Sequence, residues 1–296
     1  MVKKAILVKK NVTGRQLARV RAIDHQETIW LEVFPGNRHT AKCLPDARKG
    51  VQSSLALDAK QRQRTVWRMD GGGGSDANFQ WLLQQGYQLH AKGFSSSHAA
   101  ALAKDVLRWD AYGDIWLGEV EPTFELGRPF RLFVQRRRKK AQFLPSYLVS
   151  TLKLPSKMHF WAYYKDRGGA ETEQFREDKS GLAMAVRRKR SLAGQKGYIL
   201  LTDLAHNLLA DFKHHALVGS RFEGYGIKRI VRDLLCMPGL LVFDDQKLIR
   251  VDLLSQKQNA HDLLICLQRY YSERFSWVKT ACIWMKKLKP VQFVQK

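Results

Sequence analysis

Five residues in two stretches of the chain have the types and spacing of a metal-dependent phosphoryl-transfer site. Around the glycine pair at 168–169, one stretch supplies a tyrosine, an arginine, a glutamate and a lysine: Tyr164, Arg167, Glu171 and Lys179. Upstream, the sequence RTVWRMDGGGGSD places Asp70 where a predicted strand runs into a glycine turn. Two carboxylates can hold divalent metal ions, and Arg and Lys are suited to clamping phosphate. The pattern therefore indicates phosphoryl transfer.

Each of these residues also has an explanation that involves no chemistry. Asp70 is alternatively a turn aspartate in front of four glycines that make the turn flexible. In the phosphoryl-transfer interpretation, the same glycines let a phosphate approach the backbone closely. We expect a helix to begin after Gly169, so that Glu171 lies in its first turn, where the helix dipole favours a carboxylate. On that helix Glu171, Asp178 and Lys179 share one face, as charge pairs on a surface helix also do.

The charge of the chain indicates a polyanionic partner. Lys and Arg number 51 against 27 Asp and Glu, which gives a net charge of +24. Residues 126–165 contain basic residues and aromatic residues but no acid, a mixture suited to backbone contact and base packing. The candidate DNA-binding residues form two basic runs: Arg136, Arg137, Arg138, Lys139 and Lys140, and then Arg187, Arg188, Lys189 and Arg190. The alternative is a solvated basic surface, with the aromatic residues on the inward face of strands.

Other features of the sequence exclude several classes of protein. No apolar run is long enough to suggest a membrane span, and the basic first residues do not resemble a secretory signal. The four cysteines lack the spacing of zinc ligands, so we expect reduced thiols. No pattern of an RNA-recognition, KH or zinc-finger module supports an unrelated nucleic-acid binder.

Alternating strands and helices predict a central sheet covered by helices. Predicted strands cover 14–24, 27–34, 65–69 and 87–93, and the segment 113–160 is rich in strands without a convincing helix. Predicted helices cover 41–57, with a late start because of Pro45, and then 76–86, 95–109, 170–190, 195–217 and about 260–273. The fold class is therefore α/β.

With these residues in place, the chain resembles the DDE-type transposases of bacterial insertion sequences over nearly its whole length. The clearest stretches are RMDGGGGSDANFQWLLQQGYQLHAKG, YYKDRGGAETEQFREDKSGL, LLTDLAHNLL and GYGIKRIVRDLLCMPGLL. Tyr164, Arg167 and Glu171 fit the first three positions of the Y-x-x-R-x-x-x-E signature. The family lysine usually follows after six residues, whereas Lys179 follows after seven.

The resemblance implies an RNase H-like mixed sheet flanked by helices, with Asp70 as the second catalytic aspartate and Glu171 as the catalytic glutamate. It divides the chain into a first core part at 1–112, a basic β-rich insertion at 113–160, a second core part at 161–220 and a small α/β extension at 221–296. Tyr164, Arg167 and Lys179 become accessory residues that contact DNA phosphates.

The resemblance also implies cofactors and partners. Asp70 and Glu171 would hold two Mg²⁺ or Mn²⁺ ions for cleavage and strand transfer of DNA. The partner is double-stranded DNA, both element ends and target, and a homodimer on DNA is a further possibility. The expected setting is the nucleoid in the bacterial cytoplasm, without a membrane.

One carboxylate of the expected triad is missing from the pattern. The first aspartate should lie on a strand before 14–34, and the nearest acid, Asp24, falls in a turn. We therefore expect a transposase truncated at its N-terminus, with impaired catalysis and a sheet that lacks its first strand. The alternative is a non-catalytic remnant that binds element ends or associates with intact transposase.

Overall fold

The computed structural model describes residues 15–36, 38, 40–139, 142–186 and 191–282, without the side chains of 40, 41, 139, 167–173 and 282. The chain divides into two compact units, 1–23 with 28–173 and 24–27 with 174–296. The division falls within one long helix.

The strands of the first unit form two separate sheets. Two strands, β1 (Arg15–Ala22) and β2 (Glu27–Pro35), pair with each other. Six more strands form one mixed sheet in the order β3-β4-β8-β7-β6-β5: β3 (Val66–Met69), β4 (Gln88–Lys92), β5 (Asp110–Tyr112), β6 (Ile115–Val120), β7 (Arg131–Lys139) and β8 (Gln142–Ser150). The β3 and β4 strands are parallel, and the other neighbours are antiparallel. The strand-rich segment therefore extends the sheet that contains β3 and β4.

In the described residues up to 150, four helices accompany the strands of this unit: α1 (Thr40–Leu55), α2 (Ala59–Arg64), α3 (Asp76–Gln84) and α4 (Ser96–Leu102). Leu82 and Leu83 of α3 pack with Leu89 and Val149 of the sheet in the main hydrophobic core. The core explains why α1, α3 and α4 are helical, because burial of an apolar face stabilises a short helix more than its intrinsic propensity does. Helix α2 buries no side chain and begins with a capping box at Asp58. The predicted sheet flanked by helices is confirmed.

The fifth helix differs most from the sequence prediction. Helix α5 runs from Lys157 to Gly181, so it begins three turns before the predicted start and contains both glycines at 168–169. Ser156 accepts hydrogen bonds from the backbone of His159, and Phe160 is fully buried against Phe133 at 4.2 Å between ring centres. This packing outweighs the roughly 1 kcal/mol that each glycine costs inside a helix. Glu171 is consequently in mid-helix and not in a first turn.

Two smaller predictions of helix bounds were also wrong. Pro45 lies inside α1, which begins at Thr40. Helix α4 ends at Leu102, and the following residues turn into β5. Proline is tolerated in the first turn of a helix because that turn needs no backbone donor. Pro45 lies only just beyond the first turn of α1.

The second unit contains α6 (Leu192–Phe212), which continues as a π-helical turn over Lys213–Leu217, and α7 (Ile227–Arg229), which continues similarly over Ile230–Leu235. A small sheet follows in the order β11-β10-β9, formed by β9 (Gly239–Asp244), β10 (Lys247–Leu253) and β11 (Lys279–Cys282). Helix α8 (Gln258–Arg274) lies between β10 and β11 in sequence. The hydrophobic core of this second unit includes Phe222, Ile230, Leu253 and Leu263.

Candidate functional site

Asp70 lies directly after β3, as predicted, and begins the glycine turn. Its carboxylate is half-buried, and Oδ1 accepts a hydrogen bond of 2.8 Å from the backbone N–H of Gly72. The Asp70 carbonyl accepts a second bond of 3.1 Å from Gly73. These bonds close a tight turn in which the side chain holds its own backbone, as aspartates in turns commonly do. The carboxylate is therefore fixed at the end of the strand.

Gly74, the last of the four glycines after Asp70, is required by close backbone packing. A Cβ atom on Gly74 would lie 1.9 Å from the carbonyl oxygen of Lys92. The Gly74 carbonyl accepts a hydrogen bond of 2.9 Å from Phe94, which ties the turn to the segment after β4. This packing explains Gly74 without a phosphate, because only glycine allows two backbones to approach so closely.

Gly93, in the segment after β4, is a second glycine whose missing side chain leaves room for a close neighbour. A Cβ atom there would lie 1.8 Å from the ring of Tyr147, so the aromatic ring occupies the space that the glycine leaves. Burial, with a further contribution from the charge of Asp76, raises the pKa of Tyr147 to about 12. Tyr147 is therefore a neutral core residue that packs against the glycine turn region.

Arg68 connects the strand of Asp70 to α5. Its guanidinium donates to the backbone carbonyl of Tyr163, lies 4.1 Å from the centre of the Tyr163 ring and is 3.4 Å from a carboxylate oxygen of Asp166. The Arg68 side chain is only 6% exposed. A planar guanidinium can donate and stack at once, which a lysine cannot do. Arg68 was not among the residues predicted from the sequence, although an arginine inside an apolar strand is a signal.

His90 on β4 is a second residue that the sequence analysis missed. It is fully buried, and its ring nitrogens lie 3.0 Å from the Ser150 hydroxyl and 3.0 Å from the Phe160 carbonyl. Burial lowers the pKa of His90 to about 4; the Phe160 hydrogen bond opposes this shift and the charge of Arg68 adds to it. A neutral ring therefore donates to Phe160, accepts from Ser150, and joins β4, β8 and α5.

The predicted signature residues all belong to α5. Positions 164, 167 and 171 are spaced i, i+3 and i+7, so on a continuous helix they follow one stripe. Tyr164 is half-buried against the cluster of Phe133, Leu148 and Phe160. The side chains of Arg167 and Glu171 lie outside the described residues. Lys179 is exposed near the end of the helix, in the second unit.

The predicted common face of Asp178 and Lys179 was wrong, because only Lys179 is exposed. Asp178 is fully buried, and its Oδ1 lies 2.7 Å from Nδ1 of His206 on α6. The other ring nitrogen of His206 is 2.9 Å from the carbonyl of Gln26. Asp178 is therefore a core residue of the second unit, because a carboxylate on the inner side of a helix needs a hydrogen-bonded partner.

The basic run on β7 divides between structural and exposed residues. Arg136 lies over three aromatic rings, at 4.1 Å from Trp109, 4.8 Å from Phe143 and 5.8 Å from Trp116. Arg137 pairs with Asp114 at 2.8 Å. Arg138 is exposed. The Lys139 side chain, Lys140 and the second run at 187–190 lie outside the described residues.

The described residues supply no complete metal site. Among their side chains, no three His, Cys, Asp or Glu residues lie close enough together to hold a metal ion. Asp24, the nearest candidate for a first aspartate, lies in the exposed turn between β1 and β2.

None of the helices in the described part of the chain combines the length and apolar character needed to cross a membrane.

Comparison with known proteins gives no further assignment. No protein-family model matches the chain, and no curated protein of similar sequence is found. The residues and contacts above are therefore the basis for a functional proposal.

Proposed function

We propose that the chain is a DNA transposase of the DDE type, which cleaves DNA and transfers strands in a metal-dependent reaction. The observation that carries the proposal is the contact of Arg68 with α5, because it fixes the strand that ends at Asp70 to the helix that contains Glu171. The net charge of +24 favours a polyanionic substrate. The mixed sheet flanked by helices supports an RNase H-like interpretation, and the reaction class comes from the resemblance.

The proposal requires Mg²⁺ or Mn²⁺, and Asp70 is suited to hold it. Its half-buried carboxylate is oriented by the Gly72 amide at the end of β3, and carboxylate oxygens are preferred ligands of these ions. Glu171 would be the second ligand. When bound, the metal ions would stabilise the negative charge that develops during phosphoryl transfer. Arg68 would keep strand and helix in register. Asp24, the nearest candidate for the first aspartate of the triad, lies in an exposed turn and not on a strand. The site would then lack one carboxylate, and we expect cleavage to be slow.

A second candidate function is DNA binding without cleavage, at element ends or together with an intact transposase. It is favoured by the position of Asp24, the nearest candidate for a first aspartate, which lies in an exposed turn and not on a strand. The exposed basic residues, with Arg138 as the described example, would supply phosphate contacts in either case. The two functions differ only in whether the carboxylates are needed.

A nicking assay on labelled duplex DNA with Mg²⁺ or Mn²⁺ separates these functions. We expect slow metal-dependent nicking that is lost in Asp70→Asn and in Glu171→Gln, while DNA binding by both variants is retained. The matched control is Asp105→Asn, which removes an exposed carboxylate far along the chain from Asp70. Nicking that survives in both site variants would overturn the catalytic proposal. Binding without nicking in the wild type would favour the second function.

A further inference from the structure

The edge of the small sheet in the second unit has the composition of an interaction surface. Strand β9 has the sequence GLLVFD and pairs only with β10 among the described residues, so its other edge is open. Leu240, Leu241 and Phe243 are 40%, 56% and 56% exposed. Residues 239–243 contain no charge and no proline, which are two of the devices that protect an edge strand from pairing with another chain.

The hydrogen-bond pattern shows which backbone groups face the open edge. The carbonyl of Pro238 accepts a bond of 2.8 Å from Leu254, so position 238 points towards β10. Alternation along an antiparallel strand then directs the even-numbered residues to β10 and the odd-numbered residues outward. Gly239, Leu241 and Phe243 consequently direct their N–H and C=O groups to the open edge.

We propose that a second copy of this chain pairs with this edge, β9 against β9, around a two-fold axis at Leu241. Antiparallel pairing that satisfies the outward groups of both copies sets Leu241 opposite its own counterpart and Phe243 opposite Gly239. The large ring then faces the residue without a side chain. The two small sheets become one six-stranded sheet, and the pair closes because each copy uses the same patch.

Charge complementarity identifies a second copy as the occupant. Asp244 and Asp245 end β9 at a tight turn, where Asp245 and Gln246 have positive φ angles of 45° and 63°. In the proposed register these acids meet the region of Met237 and Pro238 in the second copy. A cleft at that region is lined by Arg232, Asp233 and Lys257, and Asp233 pairs with Arg232 at 2.5 Å and with Arg229 at 3.6 Å, so three basic side chains accompany one acid there. One end of the strand is therefore acidic and the other is basic, as a two-fold antiparallel pair requires.

Sedimentation of the full chain without DNA tests the proposal. We expect a dimer of about twice the 34.1 kDa monomer that persists at about 0.5 M salt, because backbone hydrogen bonds and apolar side chains form the centre of the interface and salt screens only the charges at its ends. Leu241→Lys should weaken dimerisation by about 100-fold or more, since it sets two ammonium groups opposite each other. The control Leu201→Lys changes another exposed leucine, on α6, and should leave the dimer intact. A wild-type monomer at all concentrations would overturn the proposal.

Crosslinking tests the register independently of stability. In a Cys236→Ser background, which removes an exposed native thiol, Leu241→Cys should form a covalent dimer on oxidation. Opposed residues in a hydrogen-bonded antiparallel pair lie about 5.5 Å apart, which a disulfide can span. Leu240→Cys should not crosslink, because its counterpart is displaced along the strand. Equal crosslinking of both variants, or of neither, would contradict this register. DNA binding and nicking enter neither experiment.

Discussion

The guanidinium of Arg68 stacks on the ring of Tyr163 and donates a hydrogen bond to the backbone carbonyl of the same residue. One arginine on β3 thus contacts α5 in two ways, and its side chain is almost fully buried. Because Asp70 follows two residues later on the strand and Glu171 lies farther along the helix, this contact supports both candidate ligands.

Replacing Arg68 should destabilise the first unit. We expect Arg68→Met to lower the free energy of unfolding by about 2 kcal/mol, because it removes a charge-assisted hydrogen bond and a ring contact together. Urea unfolding measures the change. Arg138→Met is the matched control, since Arg138 is exposed and its loss should matter little to stability. Equal stability of the two variants would show that the Arg68 contact contributes nothing.

The glycine turn allows a test with two identical substitutions. Gly74→Ala should cost about 2 kcal/mol or more, because the new Cβ atom meets the Lys92 carbonyl. Gly197→Ala, within α6, has open space around the new atom and should stabilise the chain by about 0.5–1 kcal/mol. Thermal or urea unfolding compares them. A neutral Gly74→Ala would mean that the turn tolerates a side chain and is not packed on Lys92.

His90 should make stability depend on pH. Its pKa is about 4 in the folded chain against an ordinary value of 6.5, so the unfolded chain binds more protons between these values. The free energy of unfolding should therefore fall as pH decreases from about 6.5 to about 4, by roughly 3 kcal/mol from this residue. Unfolding of the wild type and His90→Gln across this range should give a smaller pH slope for the variant.

Ser150→Ala is the control for that experiment. It removes a hydrogen-bond partner of His90 but leaves the imidazole in place, so the pH slope should persist while stability falls at every pH. If His90→Gln retained the full slope, other groups would be responsible for it.

Arg136 and Arg138 should affect DNA binding differently although both lie in one basic run. Arg138→Ala should reduce the slope of log affinity against log salt by about 0.9, because it removes one phosphate contact. Arg136→Ala should leave that slope unchanged and lower stability, because its guanidinium is packed among Trp109, Trp116 and Phe143. Salt titrations of binding, with unfolding measured in parallel, distinguish the two. Equal slope changes would place both residues at the DNA.

The sequence predicts most elements of the fold because their periodicity is local. The two strands near the start, the strand before Asp70 and the long α6 follow from alternating or helical apolar patterns. The early start of α5 could not be predicted in this way, since it depends on Phe160 packing against Phe133, residues that are distant in sequence. Two glycines in succession argue locally for a boundary, and tertiary packing overrides them.

The candidate site was predictable only in part for the same reason. Asp70 at a strand end is a pattern that a sequence displays, whereas the predicted helix begins after Gly169 and leaves Tyr164 outside the helix that contains Glu171. Arg68 and His90 act through contacts with α5 that the sequence does not reveal, although an arginine inside the apolar strand β3 is a signal for Arg68. Arg136 shows the reverse case, because a basic run suggests exposed charge although one of its members is enclosed by aromatic rings.

The close contact between Gly93 and Tyr147 has a consequence for how the chain can change. The ring of Tyr147 occupies the space that a side chain at position 93 would need. If position 93 carried a side chain, that side chain would fill the same space and a ring at position 147 would no longer be needed. The two positions should therefore vary together among homologues, with a larger residue at 93 accompanied by a smaller one at 147. An inherited pairing of this kind would mark the glycine turn region as a single unit of evolutionary change.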